Sequence, residues 1–105
     1  MSNKDNRIAF HNFLKSISGI NNLYFQPPEN IQMNYPAIVY SRYNMNTINA
    51  DNVVYLQGTI YRVVVIDKDP DSEIVYKVSH IPTARFERHF NSSGYNHDVF
   101  IINYK

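Results

Sequence analysis

Cysteine is absent from the 105 residues. That excludes disulfide staples, thiolate metal sites and cysteine nucleophiles. A disulfide-framed secreted mini-protein goes with them, and a reducing cytosol is the expected setting. Tryptophan is absent too, and glycine occurs only 3 times. No GxGxxG, GxxxxGK or GxSxG is present, so phosphate-cradling loops and nucleophile elbows lack support. Charged residues are 18% of the chain and the net charge is +1. Such a balance is too weak for bulk attraction to nucleic acid. No apolar run approaches the roughly 20 residues that span a bilayer. The polar start MSNKDNRIAF lacks the apolar stretch of a signal peptide.

What is there suits one globular domain over residues 1–105. Hydrophobic residues make up 44%, enough for a modest core and too many for a disordered chain. Tyrosine (9) and phenylalanine (6) supply the aromatics. Tyrosine has a large apolar body and a polar tip, which fits protein-contacting surfaces as well as a solvated sheet face.

Residues 3–18 read as an amphipathic helix. Phe10, Phe13, Leu14 and Ile17 form one stripe at i, i+3, i+4 and i+7. Asn3 is the expected cap, Asp5 suits the first turn, and Gly19 is the stop. Leu23–Gln26 is a short extended segment, confined to an edge or a rigid link by Pro27 and Pro28. Tyr35–Tyr43 is β-prone around Ala37–Tyr40. Asn44–Asn52 reads as a polar loop. Val53–Asp67 carries the strongest strand pattern, with Gly58 as a bend or bulge. Ile60, Arg62, Val64 and Ile66 alternate with Tyr61, Val63 and Val65, so both faces are largely apolar and the strand is expected to be central. A second short helix follows, with Asp69 as N-cap, Pro70 in the first position and Asp71 and Glu73 near the positive end. Ile74, Val78 and Ile81 form its stripe, and Pro82 ends it. Thr83–Phe90 and Val99–Tyr104 read as strands joined around Asn91–Gly94. The expected class is α+β: two helices packed on one face of a mostly antiparallel sheet of four to five strands.

The polar clusters carry the candidate chemistry. Asp67, Asp69, Asp71 and Glu73 look like the start of a calcium loop. However, Ser72 stands where the sharp turn needs glycine, and Val78 stands where the distal glutamate belongs. Capping by Asp69 and Asp71 accounts for these acids without a metal. His11, His80, His89 and His97 show no metal-ligand spacing. His97 with Asp98 could be half of an acid–base couple, but no nucleophile accompanies it. Arg85, Arg88 and His89 sit beside Phe86 and Phe90, a mixture able to stack on single-stranded nucleic acid. Simple alternation puts Glu87 among the cations, which favours a protein-contacting or solvated face. Tyr40, Tyr43, Tyr55 and Tyr61, with Arg42 and Arg62, flank the polar loop; Tyr and Arg are the types enriched at interface hot spots, and a tyrosine-rich sheet face is the equal alternative. No catalytic, cofactor-binding or metal-binding residue is expected, and the chain is read as a non-enzyme.

The blocks YFQPPENI (24–31), YPAIVY (35–40), YRVVVIDKDPDSEI (61–74) and NHDVFIINY (96–104) resemble a family of small phage virion proteins. These are the tail terminator, tail completion and head–tail connection proteins. The likeness runs from Leu23 onward, and DKDPDS is its most specific part. It implies a structural subunit that forms a ring, expected to be a hexamer, at the head-proximal end of the tail. Its partners would be other copies of itself, the tail tube protein and head–tail connector proteins. No membrane and no sequence-specific nucleic acid is implied. The location would be the virion tail or neck, after assembly in the host cytoplasm. On this reading Arg7, Tyr40, Arg42, Tyr43, Tyr55, Arg62, Arg85 and Arg88 are the interface candidates, and Asn44–Asn52 is an arm onto a neighbour. A head–tail stopper or other neck protein is the nearest alternative. A small stand-alone binding domain is the alternative of another class.

Overall fold

The computed structural model describes residues 3–43 and 59–104, with the side chain of Asn3 outside that set. The cap expected from Asn3, the loop Asn44–Asn52, Tyr55 and the strand start Val53–Gly58 therefore lie outside the described residues. The described elements run α1 (Asn3–Ser18), β1 (Leu23–Phe25), β2 (Ala37–Arg42), β3 (Thr59–Asp67), α2 (Glu73–Ser79), β4 (Arg85–Ser92) and β5 (Tyr95–Tyr104). The strands form one sheet in the order β1-β2-β3-β5-β4. Only β1 and β2 are parallel; the other neighbours are antiparallel. The α+β class is thus the observed one, with both helices on one face of a five-stranded sheet.

Strand alternation builds the core. Ile38 lies opposite Val65, Tyr40 opposite Val63, Tyr61 opposite Ile102 and Val63 opposite Phe100. Side chains at paired positions share a face, so these seven form one apolar surface. Phe10 and Leu14 from α1, and Ile74 and Val78 from α2, close over it. The α1 stripe works as its spacing predicts: Phe10 and Leu14 are fully buried, and Phe13 and Ile17 pack at the margin. Phe10 stacks on Tyr61, with ring centroids 4.2 Å apart and planes 8° from parallel. It meets Tyr40 edge-on at 5.6 Å and Tyr104 at 5.0 Å. Such pairs contribute about 0.5–1.5 kcal/mol each beyond area burial.

Polar groups inside this core are paired. The Tyr61 hydroxyl donates to Asn6 Oδ1 at 2.6 Å, and Asn6 Nδ2 donates to the Tyr104 carbonyl at 3.1 Å. Helix α1 ends as expected. Gly19 takes φ +74°, a conformation open to glycine, and its N–H donates to the Lys15 carbonyl at 3.0 Å. The β4–β5 turn has Ser93 at φ +55° and Gly94 at φ +83°. Two successive positive φ values define the two-residue hairpin turn whose twist matches the flanking strands.

Helix α2 differs from expectation at its start. Ser72 is the N-cap; its Oγ accepts from Ile74 N at 3.2 Å and Val75 N at 3.4 Å. Asp69 and Asp71 are not the cap. Asp67 Oδ1 accepts from Asp69 N at 3.0 Å and Asp69 Oδ1 accepts from Asp71 N at 2.9 Å, two successive Asx turns. The aspartates shape the approach to the helix, and the buried serine begins it.

Candidate interaction face

The helices pack on one sheet face; among the described residues the opposite face carries no helix, although Ala37, Ile66, Val99 and Ile101 on it are buried. Along β3 that face carries Ile60, Arg62, Val64 and Ile66, opposite Asn103, Ile101, Val99 and His97 of β5. On β2 it carries Ala37, Val39 and Ser41. A register shift between Phe86 and Arg88 decides what β4 adds. Before it, Arg85 pairs with Ile101 and Phe86 with Phe100. After it, Arg88 pairs with Val99, His89 with Asp98 and Phe90 with His97. A bulge places one extra residue in the strand and shifts the alternation beyond it.

This overturns the faces expected from simple alternation. Arg85, Arg88 and Phe90 share the face opposite the helices. Phe86 and His89 lie on the helix side, where Phe86 meets the core ring Phe100 edge-on at 5.6 Å. Arg62, Ile101 and Arg85 run abreast across three strands. Glu87 reaches the same side, with Oε2 3.7 Å from Arg62 Nε. That Nε is buried and the separation is too long for a hydrogen bond. Arg62 also lies over the Tyr43 ring at 4.8 Å, and Arg88 over Phe90 at 5.2 Å. Tyr43, Arg85, Phe86, Glu87 and Ile101 line a concavity of about 390 Å³ at the β4 edge. The face therefore presents three guanidinium groups, one carboxylate and two exposed rings.

The other expected interface residues lie elsewhere. Arg42 is opposite Tyr61 on the helix side. It and Arg7 flank the Phe25 ring, at 5.1 and 4.9 Å from its centroid. Tyr40 is corrected outright: it is fully buried, so it has no surface to offer a partner. Its hydroxyl lies 2.8 Å from His11 Nδ1. Burial pushes the Tyr40 phenol above its ordinary value of 10.0, against the opposing pull of Arg7. Burial, then the charges of Arg7 and Lys15, hold His11 below its ordinary 6.5. In the neutral imidazole this favours, Nδ1 and the Tyr40 hydroxyl share one hydrogen bond whose donor depends on the tautomer. The signal for Tyr40 was its neighbour pattern: it alternates with Val39 in phase with buried Ile38.

The His97–Asp98 couple is not formed. Adjacent strand residues point to opposite faces. Asp98 Oδ1 instead meets His89 Nδ1 of the neighbouring strand at 2.8 Å, and His97 stacks on Phe90 at 4.6 Å. Around the acidic turn, Asp67 and Lys68 line a second concavity with Met33, Asn34, Tyr35, Pro36 and Tyr95. Among the described residues no group of three or more His, Asp or Glu side chains could hold a metal ion. No described helix is long and apolar enough to cross a membrane. A scan against protein-family models matched none, and searches of curated proteins and of solved structures returned no match.

Proposed function

We propose that this chain is a structural subunit of a tailed-phage virion, forming a ring at the head-proximal end of the tail that ends tube growth and joins tail to head. The observation that carries the reading is the sheet face opposite the helices, where Arg62, Arg85, Arg88 and Phe90 lie together. Arginine and aromatic rings are the types that anchor protein interfaces, and here they gather on one side of a thin two-layer domain. The edge strand β4 continues that surface: all eight of its residues are exposed, Phe86 and Phe90 among them. The resemblance of the DKDPDS block to head–tail connection proteins gives this contact surface its setting.

Native mass spectrometry across a range of concentrations tests the proposal. A discrete closed oligomer is the expected result. A strict monomer at every concentration would remove self-assembly from the reading. In a phage carrying the deleted gene, overlong tails are expected; normal tails beside leaking heads would move the assignment to a stopper.

A further inference from the structure

We propose that the arginine face of one copy receives the acidic β3–α2 turn, residues 67–73, of a second copy of this chain. The inference deepens the ring reading and rests on it for the meeting of copies, but its argument is charge geometry. The turn holds Asp67, Asp69, Asp71 and Glu73 against the single cation Lys68. Asp69, Asp71 and Glu73 are exposed, and none of the turn's four acids forms an ion pair among the described residues. The receiving face holds Arg62, Arg85 and Arg88 against Glu87. Arg85 has neither an ion pair nor a ring beneath it among the described residues. A chain of net charge +1 thus carries, among its other charges, one cationic and one anionic patch.

No ion pair joins the two patches within one molecule among the described residues. Arg62 and Asp67 are five positions apart on an extended strand, which at about 3.3 Å per residue separates their backbones by roughly 17 Å. The rest of the turn lies beyond that end of β3. Between separate copies the match is direct. A guanidinium fork takes a carboxylate in two parallel hydrogen bonds, and arginine sheds water more readily than lysine. The concavity beside Arg85 is lined also by Tyr43, Phe86, Ile101 and Glu87, so the Pro70 tip would meet rings and one aliphatic side chain beside a single carboxylate.

The turn is also ready to bind. The Asx bonds from Asp67 to Asp69 and from Asp69 to Asp71 engage one oxygen of each acceptor carboxylate, and Pro70 fixes its own φ. A rigid loop loses little freedom on docking. Because the inserting and receiving surfaces differ, the contact is heterologous: it repeats from copy to copy and closes into a ring when the rotation allows.

Charge reversal with mixing tests the pairing. Arg85→Glu/Arg88→Glu reverses the face, and Asp71→Lys/Glu73→Lys reverses the turn while sparing both Asx acceptors. Circular dichroism and thermal melts establish that each variant is folded; the neutralised pairs Arg85→Gln/Arg88→Gln and Asp71→Asn/Glu73→Gln serve if a reversal misfolds. Native mass spectrometry should show wild-type oligomers, loss of them in either variant alone, and recovery in the equimolar mixture with both masses in each particle. Added salt should weaken the wild-type assembly, since the screening length falls from about 10 Å at 0.1 M to about 3 Å at 1 M. Oligomers that persist in both variants would overturn this contact and leave the ring reading standing. A wild-type monomer would overturn both. Loss in the arginine variant alone, with no recovery on mixing, would overturn the acidic turn as occupant. So would arginine-dependent binding of a single-stranded oligodeoxythymidine by a monomeric wild type, which would favour nucleic acid.

Discussion

At the scale of single residues, the polar groups buried with the aromatic core repay attention. Asn6 is almost fully buried on α1, and it joins the Tyr61 hydroxyl to the Tyr104 carbonyl. Tyr61→Phe leaves Asn6 Oδ1 without that donor while keeping the ring stacked on Phe10. The expected cost is about 1–3 kcal/mol, read as a lower urea midpoint at unchanged slope. A midpoint equal to wild type would mean that the amide finds another partner. His11 gives a pH signature. Its folded-state pKa lies below the ordinary 6.5, so between the two values the unfolded chain binds more protons. Stability should fall as the pH drops through 6.5 and level off below the folded value. His11→Gln should flatten that part of a stability-against-pH profile; an unchanged profile would assign the loss to other groups.

Among the elements, α2 shows how a cap can be misread and how to check it. The run Asp69-Pro70-Asp71-Ser72 offers several capping side chains in a row. Composition cannot choose between them, because the choice depends on which one is buried beside the first turn. Ser72 is; Asp69 and Asp71 are exposed. Ser72→Ala should therefore cost about 0.5–2 kcal/mol, and Asp69→Ala within about 0.5 kcal/mol, in matched thermal melts. The reverse order would return the cap to Asp69. The same contrast runs through the whole fold. Helix α1 was legible because Phe10 and Leu14 recur at the helical period, and β3 because Tyr61, Val63 and Val65 alternate among β-branched neighbours. The bulge after Phe86 was not legible, since one inserted residue leaves no mark in a run of alternating charge and aromatic side chains. Without it, Arg85 and Arg88 fall on opposite faces and the candidate site does not exist. Tyr40 was misplaced for a different reason: its hydroxyl suggests water, yet His11 satisfies it inside the core.

At the scale of the molecule, the sheet is asymmetric in thickness and in charge. One face carries both helices; the other carries the arginines, and the acids project from the turn at the far end of β3. This arrangement gives the two surface patches different depths of support. Arg62 stands on the best-paired part of the sheet, where β3 and β5 match along nine positions, whereas Arg85 and Arg88 stand on the edge strand β4 to either side of its bulge. Both edge-strand arginines are exposed, so reversing their charges should leave the fold intact. The strand order has a further consequence. β5 enters between β3 and β4, although it is the last of the three to be made. A nascent chain that has left the ribosome only as far as Ser92 holds β3 with one bare edge, and the surface beneath Phe10 and Val78 lacks Phe100 and Ile102. β4 has nothing to pair with until the hairpin turns at Gly94. The central ladder joins segments far apart in the chain, a pattern that slows folding. During synthesis the open flank of β3 is thus a site where the strands of neighbouring nascent chains on one messenger could pair wrongly, and the β4–β5 hairpin is the piece that shuts it.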